Sequence, residues 1–149
     1  KRERLYYWPN FISGWNLLKG IVTVLIDKLF ERLQLNASKT AIYEQDNTYL
    51  YRDLMTAVEQ WTLKLEQKAF LGMQVVALQS DFSFQSIALI LALFRRGLVV
   101  ALISPSAKNV QAYCDDSQAE YLFSYCDENI YYIFLNILIF FTKGIPKMA

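Results

Sequence analysis

Histidine is absent from the 149 residues. That removes imidazole general acid–base chemistry, Ser-His and Cys-His nucleophile pairs, and most zinc sites as commonly built. Cysteine is scarce: Cys114 and Cys126 are the two in the sequence. Their spacing is not that of metal ligands, and a disulfide scaffold needs more of them. Reduced thiols in a cytoplasmic protein are therefore expected. Charge of one sign is also lacking, since 15 Lys and Arg stand against 14 Asp and Glu. The composition gives no electrostatic footprint for nucleic acid or for an anionic membrane, and no nucleic-acid partner is expected. An apolar run long enough to span a bilayer as a helix, about 20 residues, is missing as well. Residues 130–141, IYYIFLNILIFF, are twelve with Asn136 among them, which reads as a buried strand or core segment.

What is present is apolar and aromatic surface. Hydrophobic residues make up 54% and aromatics 15%, high for a small soluble domain. The length suits one domain with a real core, short for an enzyme that closes two domains around two substrates. Residues 1–31 form a distinct segment. Lys1, Arg2 and Arg4 precede Tyr6, Tyr7, Trp8, Phe11 and Trp15, without the h-region and cleavage site of a secretory signal. Ile21, Val24, Leu25, Leu29 and Leu33 recur at helical spacing and predict an amphipathic helix packed on a core. A helix lying on a membrane surface is the alternative, because Trp and basic residues favour that interface. No Met precedes Lys1, so a piece of something longer is expected.

From Asn36 the pattern alternates between strand and helix. Thr40–Tyr43 and Thr48–Tyr51 flank the turn Gln45-Asp46-Asn47 and predict a hairpin. Leu54, Val58, Trp61 and Leu65 define one face of the next helix. Val75–Leu78 reads as a strand buried on both faces. Ser80, Asp81 or Ser83 caps a helix with Phe84, Ile87, Leu91 and Phe94 on one side. Arg95 and Arg96 in its last turn suit the helix dipole, and Gly97 ends it. Val99–Ile103 reads as a second buried strand, 108–116 as a short helix and Tyr121–Phe123 as a third strand. This alternation predicts an α/β fold with a mainly parallel sheet flanked by helices.

Four short elements in register carry a resemblance. Tyr51-Arg52-Asp53-Leu54 looks like a Thr-Tyr-x-Glu-Leu element, and 71–78 like a Gly-Asp-Arg-Val-Ala strand with Met73 replacing the Asp. Residues 91–100 are similar to a helix-Ala-Gly-strand motif with Arg96 where Ala is common. Asp116-Ser117-Gln118-Ala119 before Tyr121-Leu122-Phe123 looks like an Asp-Ser-x-Ala turn into a strand. Together they resemble the start of the adenylate-forming (AMP-binding) superfamily: acyl-CoA synthetases, acyl-AMP ligases and adenylation domains. The resemblance implies that residues 32–149 are the first part of the large N-terminal domain of such a ligase. None of the four elements is catalytic.

In the family a Ser/Thr/Gly-rich loop ending in Thr-Gly-x-Pro-Lys wraps the phosphates of ATP, using backbone N–H groups, hydroxyls and the Lys charge. Thr142-Lys143-Gly144-Ile145-Pro146-Lys147 looks like its second half, so the resemblance gives Thr142, Gly144 and Lys147 as a remnant nucleotide-binding loop. Phe140 and Phe141 stand where the Thr-Ser-Gly run belongs. The resemblance assigns no catalytic residue and no metal ligand to this sequence. It implies ATP and Mg²⁺ as cofactors, and a carboxylic acid and the thiol of coenzyme A or a carrier protein as partners, for the parent reaction. The chain itself is expected to bind nucleotide poorly and to be inactive alone. Two other readings are an assembly module that pairs with a separately encoded remainder, and a small membrane-associated protein. An open sheet edge also predicts self-association.

Overall fold

Side-chain oxygens open three helices of this protein, and left-handed residues close two of them. The computed structural model describes residues 11–66, 70, 74–126 and 129–134. Helix α1 (Phe11–Leu35) leads into strands β1 (Thr40–Glu44) and β2 (Asn47–Leu50), helix α2 (Tyr51–Glu66) and strand β3 (Val75–Gln79). Helix α3 (Phe84–Arg95), strand β4 (Val99–Ile103), helix α4 (Val110–Ser117) and strands β5 (Tyr121–Cys126) and β6 (Asn129–Phe134) follow.

The β1–β2 hairpin turns tightly at Gln45, whose φ is 52°, with Glu44 opposite Asn47. Tyr51 is not the end of β2 but the first residue of α2. Two features start the helix there. Asp53 reaches back to accept the N–H of Leu50 at 2.8 Å, half of a capping box. The N–H groups of Tyr51 and Arg52 donate to the carbonyls of Lys39 and Ala37. As the periodicity predicts, Leu54, Val58, Trp61 and Leu65 are all buried.

Helix α3 is capped by Ser83, whose hydroxyl accepts the N–H of Ser86. It ends in a Schellman motif: Gly97 at φ 72° donates to Phe94, and Leu98 donates to Leu93. Leu93 and Leu98 are both buried beneath that turn. The inward face differs from the expected one. Phe84, Ser86, Ala88, Leu89, Ala92 and Leu93 are buried, whereas Ile87 and Leu91 pack at the margin of the core. A helix apolar on nearly every side offers no polar face to fix its rotation. The small residues at 88 and 92 admit close approach and settle it.

The larger sheet has the order β4-β3-β5-β6. β3 pairs in parallel with β4 (Val76 with Val100) and with β5 (Val76 with Tyr121). β6 closes the other side antiparallel, Leu122 facing Ile133. Alternation along the strands divides the interior in two. Val76, Leu78, Tyr121 and Phe123 join α2 and α3 in the main core, while Ala77, Ile103 and Cys114 pack with α4 across the sheet. β3 is thus the strand enclosed on both faces. β4 is not: it is an edge strand, with Leu102 53% exposed and Val99 on the surface too. Among the described residues its continuous apolar run belongs to a strand with one neighbour, not to a buried one.

Helix α1 also departs from expectation. Ile21, Val24, Leu25 and Leu29 are exposed while Leu33 is half-buried, and Phe30 packs against the core. The Arg95 guanidinium lies over the Phe30 ring at 5.1 Å, tying α1 to the end of α3. No helix among the described residues is long and apolar enough to cross a membrane.

Candidate functional site

In open α/β sheets the carboxyl ends of parallel strands carry ligand sites. Here that end is built from the segment Ser80–Ser83 after β3 and Ser104–Ser106 after β4. Ser80 is buried, and its N–H donates to the Ile103 carbonyl at 3.3 Å, which holds the two strand ends together. Gln79 donates to the Pro105 carbonyl at 3.3 Å. A cleft of about 430 Å³ opens between them, lined by Asp81, Phe82, Leu102, Ser104 and Pro105 among others.

Asp81 organises this end. Its Oδ1 accepts the Ser83 N–H at 3.2 Å and the Ser86 hydroxyl at 3.2 Å. The hydroxyls of Ser83 and Ser86 are themselves bonded at 2.9 Å. Hydrogen bonding holds the Asp81 carboxyl below the usual carboxylate range, the Ser83 side chain being the largest cause, with partial desolvation acting against it. Ser86 is fully buried yet satisfied by these bonds, a polar core residue that apolar periodicity has no means of finding.

On the other side of Asp81 a groove of about 660 Å³ runs between the hairpin, α2 and the start of α3. Tyr49 stacks on Phe84 with ring centroids 3.9 Å apart. Trp61 Nε1 donates to Gln85 at 3.0 Å, and the Lys64 ammonium sits 4.1 Å from the centre of the Trp61 ring. Glu44 Oε1 accepts the Phe84 N–H at 3.3 Å.

These bonds decide what the site can hold. A helix N-terminus attracts anions through its free N–H groups and dipole. At α3 the N–H groups of Ser83, Phe84 and Ser86 already donate to Asp81, Glu44 and Ser83, and two carboxylates border the groove against one ammonium, Lys64. The charge of a nucleotide triphosphate would meet Glu44 and Asp81 here. Among the described residues no group of three or more Asp, Glu, Cys or His could hold a metal ion. The described residues here build a capped strand-to-helix junction. Thr142, Gly144 and Lys147, given by the resemblance, lie outside the described residues.

The remaining resemblance elements have structural explanations. Ser117 donates to the Tyr113 carbonyl at 2.7 Å. Gln118 is left-handed at φ 55°, and Ala119 donates back to Cys114 at 2.9 Å, closing α4 as Gly97 closes α3. Burial pushes the Cys114 thiol up, with Asp115 adding to it; such a thiol is unreactive.

No family model matches the sequence, and no curated protein matches it either. Solved structures do. The N-terminal subdomain of NpsA from Klebsiella oxytoca is similar over 69% of this chain and 27% of that one, at 19% identity and a TM-score of 0.60. An artificially fused adenylation–PCP di-domain from the same organism, NpsA-ThdA, is similar over 69% of this chain and 19% of its own, at 19% identity and a TM-score of 0.60. VinN, solved with 3-methylaspartate, is similar over 66% of this chain and 27% of that one, at 18% identity and a TM-score of 0.57. The chain spans about a quarter of the NpsA subdomain and of VinN. In fold it is similar to part of an adenylation-domain N-terminal subdomain, in agreement with the resemblance carried by its short motifs.

Proposed function

We propose that residues 32–149 are the opening piece of the large domain of an adenylate-forming ligase, with residues 1–31 a segment apart. The parent reaction is attack of a carboxylate on the α-phosphate of ATP, giving an acyl-adenylate and pyrophosphate, then transfer to a thiol of coenzyme A or a carrier protein. The observation that carries this reading is the β4-β3-β5 parallel sheet with α2 and α3 on one face and α4 on the other. That arrangement is matched in an NpsA subdomain also seen with 3-hydroxyanthranilyl-AMSN. Thr142, Gly144 and Lys147 are the remnant of the phosphate loop in this proposal.

The piece alone does not catalyse the reaction. Aligning a carboxylate with the α-phosphate can account for about 7–11 kcal/mol of a barrier, and the strand ends described above offer acids and hydroxyls where converging cationic and N–H donors are needed. Pyrophosphate exchange with a panel of fatty, aromatic and amino acids, beside calorimetric titration with ATP, tests this. Neither acid-dependent exchange nor appreciable ATP heat is expected; exchange above background overturns the claim of inactivity. Reading the coding DNA downstream of codon 149 in all three frames tests the family itself. A Ser/Thr/Gly-rich loop followed by further ligase motifs supports it, and an unrelated domain in its place overturns it.

The open β4 edge favours a second reading, an assembly module completed by a separate polypeptide. Its Val99 and Leu102 put apolar surface at the end of the described sheet, where a further strand could pair.

A further inference from the structure

The most extensive apolar surface among the described residues belongs to α1. Leu25 is 61% and Ile21 49% exposed, and Val22, Val24 and Leu29 are exposed with them. Phe30 packs against the core and Ile26 and Leu33 are half-buried, whereas these five residues turn outward.

Charge along the helix says what covers it. Ile21, Leu25, Lys28 and Arg32 follow one another at spacings of four, three and four, which puts both cations on the same line as the apolar residues. Thr23, Asp27 and Glu31 follow at spacings of four on a separate line, with Glu31 a neighbour of Lys28. Lys28, Arg32, Asp27 and Glu31 are all exposed. The same sign dominates the whole segment: through Leu35 six Lys and Arg stand against three Asp and Glu, whereas the remainder has nine against eleven. The near-neutral total conceals this asymmetry.

Each candidate occupant meets that pattern differently. A second copy of α1 packed in parallel would set Lys28 and Arg32 against themselves, with no acid on the same line. Apolar protein surface would have to desolvate both cations. A lipid surface meets neither cost, because long basic side chains lie along apolar surface while their charged ends stay at the headgroups. Anionic headgroups then supply the opposite charge.

We infer that α1 lies in the interface of an anionic lipid bilayer, its Ile21–Leu25–Leu29 side buried at the acyl boundary and Lys28 and Arg32 at the headgroups. This is a surface attachment, since no helix among the described residues is long and apolar enough to cross a membrane. It is independent of the adenylate-forming reading, which concerns the sheet and its strand ends.

Vesicle flotation with the full chain tests the inference, comparing phosphatidylcholine vesicles with vesicles holding about a third phosphatidylserine. Binding to the anionic vesicles is expected, falling steeply as salt rises. Lys28→Gln with Arg32→Gln should weaken it about 20- to 30-fold, since each basic residue near such a surface contributes about 1 kcal/mol. Leu25→Glu should abolish binding while the circular dichroism of the domain is unchanged. Tryptophan emission provides a second readout and should shift to the blue on binding in the parent chain only.

Three results overturn the inference. One is no flotation with anionic vesicles. Another is binding indifferent to both salt and the Lys28/Arg32 change. The last is a dimer in sedimentation velocity that Leu25→Glu dissociates, which would assign the face to a second copy.

Discussion

Replacing Gly97 by alanine separates a backbone cost from a packing cost. Gly97 holds φ at 72° to close α3, and a Cβ built there meets nothing within 4 Å. The added methyl therefore displaces no neighbour. What it meets is the repulsion between Cβ and carbonyl in the left-handed region, about 1–2 kcal/mol. Alanine also narrows the unfolded ensemble relative to glycine, which offsets about 0.4–1 kcal/mol of that loss. A net destabilisation of about 0.5–1.5 kcal/mol follows, a few degrees in melting temperature for a chain of this size. Urea unfolding followed by circular dichroism should show a lower midpoint at unchanged slope. Gly97→Asn should fall between the two, because asparagine tolerates the left-handed region better. An alanine variant as stable as the parent would refute the Schellman closure. A loss above about 3 kcal/mol would refute the open space around the position, since only a clash or a displaced helix end costs that much.

Gln118→Gly is the converse case: Gln118 holds φ 55°, so glycine should raise the urea midpoint, by up to about 1 kcal/mol, and a loss would count against the left-handed turn. Leu89→Ala removes a fully buried side chain from between α3 and the sheet and should cost about 2–5 kcal/mol, measured by the same unfolding curves. For Asp81 the folded pKa lies below the unfolded one, so the stability from its ionised form is complete above the ordinary carboxylate range and is lost as pH falls through the depressed value. Parent and Asp81→Asn should accordingly differ most near neutrality and converge in acid; curves that stay parallel at every pH would show that the charge contributes nothing.

The fold was legible where several local signals agreed. Helix α3 announced itself through Ser83, the two arginines and Gly97, and both of its ends stand where those residues put them. Helix α2 was legible from the positions of Leu54, Val58, Trp61 and Leu65, since one apolar face on an otherwise polar helix leaves a single way to pack. Periodicity failed where it identified a face without saying what lies against it. The stripe on α1 read as inward, and the structure turns it outward, because Phe30 makes the attachment. Val99–Ile103 read as enclosed for the same reason: a run of apolar residues does not report whether a strand has one neighbour or two. At the candidate site, Ser83 was legible as a cap, but the Asp81–Ser83–Ser86 triangle was not. Ser86 is two residues inside an apolar helix, and only the approach of Asp81 over one turn explains why a hydroxyl is buried there.

The position of β3 also sets the order in which the protein assembles during its synthesis. Val76 pairs first with Val100 and only later with Tyr121, so the central strand leaves the ribosome well before either neighbour exists. Until then its apolar residues have α2 for shelter, and α3 as soon as that helix emerges. Local helix pairing therefore precedes the long-range strand pairing, whose loop-closure cost is met last. The nascent chain carries an incomplete sheet, with the strand that ends up enclosed on both faces waiting for partners, until β5 is released.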